Sequence, residues 1–160
     1  MVGFGFDVHR LAAGETLTLG GIDFADAKLG TVAHSDGDVL LHAIMDALLG
    51  ALALGDIGLH FPDTDPKYRG ASSIELLRHV ANLVESESAR IVNIDSTVVL
   101  EAPKLRPHID AMRARISETL GLAMKQVSIK ATTNERLGFI GREEGVAAYA
   151  VCQLEEKRLV

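Results

Sequence analysis

The sequence holds one cysteine, Cys152, and no tryptophan in 160 residues. A single thiol excludes an intrachain disulfide framework and points to a reducing, cytoplasmic setting. Val146-Ala147-Ala148-Tyr149-Ala150-Val151 reads as a strand leading into it, so we expect a core thiol and not a nucleophile. Aromatic residues make up 4% of the chain, which argues against a base-stacking platform or an aromatic carbohydrate cleft. Positive charge is short as well: 16 Lys and Arg against 22 Asp and Glu leave a net −6. That argues against a nucleic-acid-coating surface, although a few local cations and backbone N–H groups can still hold a phosphate. The longest apolar stretch, 39–55, is broken by His42 and Asp46 and closed by Asp56, so no membrane span is expected. The first residues show no basic region followed by an apolar run, and no signal peptide is expected.

What is present suffices for a core. Apolar residues make up 48% and charged residues 24%, in a length that fits one compact domain over 1–160. Residues 2–6 read as a Gly-containing strand. Leu17-Thr18-Leu19 and Ile22-Asp23-Phe24 flank Gly20-Gly21, a hairpin signal. Ser35 or Asp36 can cap a helix over 39–54, which is apolar nearly all round and so should be buried on most faces. Residues 53–68 read as a long loop, 73–84 and 109–120 as amphipathic helices, and 91–100, 127–131 and 146–154 as strands. Residues 155–158 read as solvated surface. Interleaved strands and helices predict an α/β sandwich with helices on at least one face of the sheet.

Four segments carry chemistry. In Asp7-Val8-His9, residues two apart share a face of an extended segment, so a carboxylate and an imidazole point the same way. His42 lies in the apolar helix with Asp38 and Asp46 one turn to either side. Asp7, His9 and His42 form a two-His, one-carboxylate set, and three protein ligands leave one tetrahedral position open, as in a catalytic zinc site. The competing reading has Asp7 capping a turn, His9 in a structural hydrogen bond and His42 as a satisfied core histidine. Ala33-His34-Ser35-Asp36-Gly37-Asp38 precedes the same helix, where free N–H groups suit an anion and His34 and Ser35 could donate to a phosphate. An ordinary capping segment reads the same way.

Gly55-Asp56-Ile57-Gly58 with Phe61-Pro62-Asp63-Thr64-Asp65 could bind polyol hydroxyls, or simply form a solvated, turn-rich loop. In Lys130-Ala131-Thr132-Thr133-Asn134-Glu135 a strand ends in two hydroxyls and a carboxylate. The hydroxyls could hold phosphate oxygens and Glu135 could ligate a hard cation bridging two phosphates, or the segment is a Thr-rich strand end facing solvent. Arg142 is a further candidate phosphate partner, and Lys104 and Arg106 add two cations in a Pro-bounded loop.

Taken together and in this order, Gly5-Phe6-Asp7-Val8-His9, the stretch from Ala33 to Val39 continuing to His42, Gly55-Asp56-Ile57-Gly58, Phe61-Pro62-Asp63-Thr64-Asp65-Pro66, Lys130-Ala131-Thr132-Thr133 and Gly138-Phe139 with Gly141-Arg142 resemble the 2-C-methyl-D-erythritol 2,4-cyclodiphosphate synthase family. The likeness runs over essentially the whole chain. It implies a single-domain α/β sandwich, a mixed sheet with helices packed on one face, assembled as a homotrimer with active sites between subunits. It also implies a substrate, a cytidine-diphosphate ester of methylerythritol 2-phosphate, cyclised with loss of CMP in the non-mevalonate isoprenoid pathway.

Under that resemblance Asp7, His9 and His42 would bind one zinc ion per subunit, with Asp7, Val8 and His9 also touching substrate. Glu135 would hold magnesium or manganese bridging the diphosphate. His34 and Thr133 would stabilise the transition state, with Ser35 assisting in binding. Asp56, Ile57 and Gly58, with Phe61, Pro62, Asp63, Thr64 and Asp65, would hold the methylerythritol part. Leu100, Glu101, Ala102, Pro103, Lys104, Leu105 and Arg106 would surround cytosine and ribose with Ala131, Thr132, Thr133 and Asn134, largely through backbone groups. Phe6, Phe139, Arg142 and Glu144 would line a cavity on the threefold axis, able to hold an isoprenoid diphosphate. No second catalytic domain is evident, which fits a stand-alone form.

Two other classes compete. A zinc hydrolase would use the same ligands to activate water, with Asp56 or Asp63 as base. A non-catalytic module would bind metal and nucleotide without turnover.

Overall fold

The computed structural model describes residues 1–157. Of the 155–158 segment expected at the surface, residue 158 lies outside the described residues. The elements are β1 (Val2–Ala12), β2 (Thr18–Leu19), β3 (Ile22–Asp23), β4 (Gly30–Val32), α1 (Val39–Ala51), α2 (Ile57–His60), α3 (Ser73–Ser86), β5 (Ala89–Val99), α4 (Ile109–Leu120), β6 (Val127–Thr132), α5 (Gly138–Gly141) and β7 (Gly145–Glu156). Five strands form a mixed sheet in the order β4-β1-β7-β5-β6, antiparallel except for β5 and β6. The parallel pair is joined through α4, as a crossover requires. β2 and β3 form the separate hairpin expected at Gly20-Gly21.

The reading of 39–54 as an all-round apolar helix explains the centre of the fold. Ten residues of α1 are buried, from Val39 to Leu49. Its near face lies directly on β1. A Cβ added to Gly3 or Gly5 would stand 1.8 or 1.9 Å from the carbonyl oxygens of Ala47 and Ala43. Helix and strand approach that closely only because both positions lack a side chain. α3 covers the other side of α1 with the stripe Ile74, Leu77, Val80 and Val84, and α4 adds Ile109, Met112 and Ile116. The helices thus share one face of the sheet.

The opposite face carries exposed apolar side chains. Val2, Phe4, Phe6 and Val8 alternate along β1, and Tyr149 and Val151 stand opposite them on β7. The Phe6 and Tyr149 rings meet at 5.0 Å between centroids.

Some local expectations need correction. The α1 cap is neither Ser35 nor Asp36 but Asp38, whose Oδ1 accepts from Leu41 N–H, because it directly precedes the first helical residue. The 53–68 loop contains the short helix α2 and a 3-10 turn, Pro66–Tyr68, and strand β1 runs to Ala12 instead of ending near residue 6. Cys152 is buried and donates to Ala47 O (3.0 Å), and burial pushes its thiol up to about 11, as suits a core residue.

Candidate active site

Asp7 and His9 lie on β1, on the same face as Gly3 and Gly5, and so look toward α1. His42 comes from the first turns of α1. The three ligand atoms all lie within 4.8 Å of one another. Asp7 Oδ2 is 2.9 Å from His42 Nδ1 and 3.3 Å from His9 Nε2, and the two ring nitrogens are 3.1 Å apart. Edges of about 3.3 Å are what a tetrahedral ion with bonds of about 2.0 Å would require.

The hydrogen bonds behind His42 fix which nitrogen carries its proton. Its Nε2 meets Ser73 Oγ at 3.0 Å and Ser35 Oγ at 3.3 Å. Ser73 spends its single hydroxyl proton on Asp36 Oδ1 (2.5 Å), and Asp36 Oδ2 accepts Ser73 N–H (2.7 Å). Ser73 Oγ must therefore accept from His42 Nε2–H, which leaves the Nδ1 lone pair facing Asp7 and His9. Val8 turns its side chain to the opposite face, while its N–H donates to Asp7 Oδ1 (2.8 Å) and leaves Oδ2 for the histidines. The Asp7 carboxylate, the His42 Nδ1 lone pair and His9 Nε2 converge on one point, and a cation is what such a donor set accommodates.

The charges agree. When His42 gains a second proton, Nδ1–H donates to Asp7 Oδ2: burial lowers the His42 pKa, but that hydrogen bond and the charge of Asp7, with Asp38 and Asp36 behind, outweigh it and leave the pKa raised. Burial lowers the His9 pKa, with Asp7 opposing. A surrounding field that favours a proton on His42 equally favours a metal ion at Nδ1.

These residues open into a cavity of about 430 Å³, whose wall includes Ala33, His34, Ser35, Ile57, Gly58, Phe61, Pro62 and Asp63. Met45, Tyr68 and Leu76 complete it and were not expected from the sequence. Phe61 is held edge-on between Tyr68 (5.4 Å) and His79 (5.5 Å). Asp56 and Asp65 do not line this cavity: Asp56 caps α2 through Leu59 N–H (3.0 Å), and Asp65 accepts from Lys67 N–H (3.0 Å). Thr64 is likewise absent from the wall. Asp46, one turn beyond His42, accepts Ile57 N–H (2.8 Å) and so fixes the start of α2 beside the cavity.

The other expected residues gather elsewhere. Leu100, Glu101 and Pro103 to Arg106 line a second cavity of about 180 Å³ with Ala131, Thr132 and Thr133. It lies where parallel β5 and β6 end side by side, Val99 opposite Thr132. Thr133 Oγ donates to Glu135 Oε1 (3.1 Å), and Asn134 N–H donates to Glu101 (2.8 Å). Glu135 and Ala102 line neither cavity. Phe139 packs beside Gly145, and Arg142 makes a two-pronged pair with Glu144 (3.0 Å each), away from both cavities. Sequence reasoning missed Ser73 as part of the site. Its only local signal was its place at the start of a helix.

Comparison with known proteins places this geometry. The YgbB family model matches residues 1–155. The chain is 58% identical over 153 residues to the 2-C-methyl-D-erythritol 2,4-cyclodiphosphate synthase of Ectopseudomonas mendocina, covering 96% of this chain and 97% of that one. Identity is 59%, with the same coverage, to the synthase of Pseudomonas aeruginosa strain UCBPP-PA14. Among solved structures, a CDP-bound 2C-methyl-D-erythritol-2,4-cyclodiphosphate synthase superposes with a TM-score of 0.89 at 40% identity, over 97% of this chain and 100% of that one. The bifunctional IspDF of Campylobacter jejuni gives 0.92 at 44% identity, over 97% of this chain and 42% of that longer protein. Matched along nearly its whole length by the family model and by relatives at more than half identity, the chain belongs to the YgbB family, the family of the 2-C-methyl-D-erythritol 2,4-cyclodiphosphate synthases.

Proposed function

We propose that this chain, as one synthase domain over 1–160, converts 4-diphosphocytidyl-2-C-methyl-D-erythritol 2-phosphate to 2-C-methyl-D-erythritol 2,4-cyclodiphosphate with release of CMP, in the cytoplasmic non-mevalonate isoprenoid pathway. The observation that carries this reading is the convergence of Asp7, His9 and His42 on one point in a cavity walled by His34, Ser35 and Phe61.

In this reaction an oxygen of the 2-phosphate forms a bond to the β-phosphorus. The bond from that phosphorus to the bridging oxygen breaks, and the electron pair leaves on CMP. The substrate supplies its own nucleophile, so the protein needs no nucleophile–base pair. Its work is positioning and charge stabilisation. His34, and the Thr133 hydroxyl once it turns from Glu135, donate toward developing phosphoryl charge, Ser35 helps to seat the phosphate, and Ile57, Gly58 and the Phe61 to Asp65 segment hold the methylerythritol hydroxyls. Backbone groups around Pro103 and Ala131 read the cytidine without aromatic stacking. Zinc on Asp7, His9 and His42, and magnesium or manganese on Glu135 and the diphosphate, would supply Lewis-acid polarisation and charge neutralisation.

The assembly we propose is a homotrimer. Two facts support it. The metal-ligand cavity and the nucleotide-side cavity share no lining residue within one chain, an arrangement that suits a site completed by a neighbouring copy. The Phe4, Phe6, Val8, Tyr149 and Val151 face supplies apolar surface for that neighbour. Phe139 and Arg142 would border the axial cavity, with room for an isoprenoid diphosphate.

The test is direct. Protein is incubated with zinc, magnesium and the cytidine-diphosphate substrate, and products are read by mass spectrometry. Stoichiometric CMP with cyclic diphosphate supports the synthase. CMP with an uncyclised phosphate would make it a hydrolase, and binding without turnover would make it a module. His42→Ala should lose both zinc and turnover while keeping its circular dichroism spectrum.

A further inference from the structure

We infer that the side chain of Glu101 is a positioning residue: it fastens the loop that presents Thr133 and Glu135. The inference rests on the proposed role of Glu135 as a cation ligand.

β6 ends at Thr132, and the chain then makes an unfavourable tip. Glu135 and Arg136 are consecutive non-glycine residues in the left-handed region, with φ of 52° and 61°. Side chains resist that backbone, so it persists only where the surroundings dictate it. Here the surroundings include one oxygen. Glu101 Oε1 accepts both Asn134 N–H (2.8 Å) and Arg136 N–H (3.2 Å), bridging the tip from outside. Asn134 Nδ2 and Leu137 O close it from inside (2.7 Å), as does Leu137 N–H to Asn134 O (2.9 Å). Within this frame Thr133 Oγ donates to Glu135 Oε1 (3.1 Å) and accepts from Glu135 N–H (3.4 Å), so hydroxyl and carboxylate orient each other.

Topology explains why Glu101 can reach. The parallel pairing continues past the strand ends, with Leu100 N–H donating to Thr132 O (3.0 Å). Glu101 is the next residue, alongside the tip. One of its carboxylate oxygens accepts from two amides at once. The side chain is thereby committed to the loop, whereas the family resemblance placed residue 101 only among the nucleotide contacts.

The experiment compares wild type, Glu101→Ala and Glu101→Gln. Amide hydrogen exchange is followed at residues 134–137 in ligand-free protein, together with zinc content, kcat, KM and the manganese concentration that half-saturates turnover. In Glu101→Ala, exchange at Asn134 and Arg136 should accelerate about tenfold or more, the scale of one lost hydrogen bond. Half-saturating manganese should rise about tenfold and kcat should fall, with zinc content and KM little changed. Glu101→Gln keeps an acceptor oxygen and should restore both readouts to within about threefold of wild type. If Glu101→Gln exchanges normally yet needs as much manganese as Glu101→Ala, Glu101 is itself a cation ligand and the inference is overturned. Unchanged exchange in Glu101→Ala also overturns it. If wild type forms no cyclic diphosphate, the proposed function fails, and exchange alone still decides whether Glu101 holds the loop.

Discussion

His42 has two ring nitrogens, and the fold assigns each a task. Nδ1 faces Asp7 and His9, while Nε2–H is drawn toward the Ser73 hydroxyl, which Asp36 polarises in turn. Removing the hydroxyl leaves Nε2–H only the longer contact to Ser35 Oγ (3.3 Å) and loosens the ring angle. Ser73→Ala should therefore weaken zinc binding about 10–100-fold, as loss of such outer partners does. Competition with a chromogenic chelator measures this, and Ser73→Thr should recover most of it. Wild-type affinity in Ser73→Ala would remove the relay from the account. At this scale the sequence was readable where chemistry is local. Asp7 and His9 are two apart on a strand, and period two alone puts them on one face. Ser73 and Asp36 are 37 positions apart, and nothing near either one marks the partner. The same holds for Glu101, which meets its amides 33 and 35 residues later.

Among the elements, α1 decides most. It is buried over ten residues, and the absence of a polar face in 39–54 announced this. What composition did not announce is how tightly β1 receives it. Gly5→Ala would force a Cβ to within 1.9 Å of Ala43 O, so helix and strand must part. We expect a loss of about 1–3 kcal/mol or more by denaturant unfolding, the range for overpacked cores. The start of α1 carries a second sensitivity. Asp38 is fully buried and accepts from Gly20, Gly21 and Leu41 N–H groups at 3.0, 2.7 and 3.1 Å. Burial still pushes its carboxyl up to about 6, against those donors. A folded pKa above the unfolded one means the folded state holds this proton more tightly. The contribution is fullest below the unfolded value near 3.9, and is lost as pH rises through about 6. Asp38→Asn does not titrate, and its amide leaves Gly21 N–H unsatisfied at every pH. The stability advantage of wild type over Asp38→Asn should therefore shrink between about pH 4 and 7, by roughly 1.4 kcal/mol for each tenfold difference in proton affinity between the folded and unfolded chains. An advantage constant across that range would contradict the assignment.

At the scale of the whole molecule, the exposed sheet face outweighs any single contact. Phe4 is 62% and Phe6 44% exposed on one protomer, a state that water disfavours for a row of large apolar groups. For the proposed trimer, light scattering should give three times the chain mass. Phe6→Asp should shift that mass toward one chain and reduce synthase turnover in step, because a lone protomer cannot complete a shared site. A monomeric wild type with full turnover would refute the assembly. No helix among the described residues is long and apolar enough to cross a membrane, in line with the interrupted 39–55 run. The fold class was legible because helical and strand periodicities alternate cleanly. The division of the expected contacts between two cavities was not, since composition carries no information about which wall a loop will join.

Strand β1 also constrains how this chain can vary. Its odd positions hold the helix contact and two of the proposed metal ligands, Gly3, Gly5, Asp7 and His9, and its even positions hold the exposed apolar row. Replacement of a residue on one side leaves the other side untouched, so the two surfaces can diverge independently. Insertion or deletion of one residue, unless a bulge absorbs it, is not confined in that way, because every later side chain changes sides. A single inserted residue before Asp7 would turn Val8 toward α1 and send both ligands outward. A change in the length of this strand therefore disturbs more of the molecule than most changes of its letters.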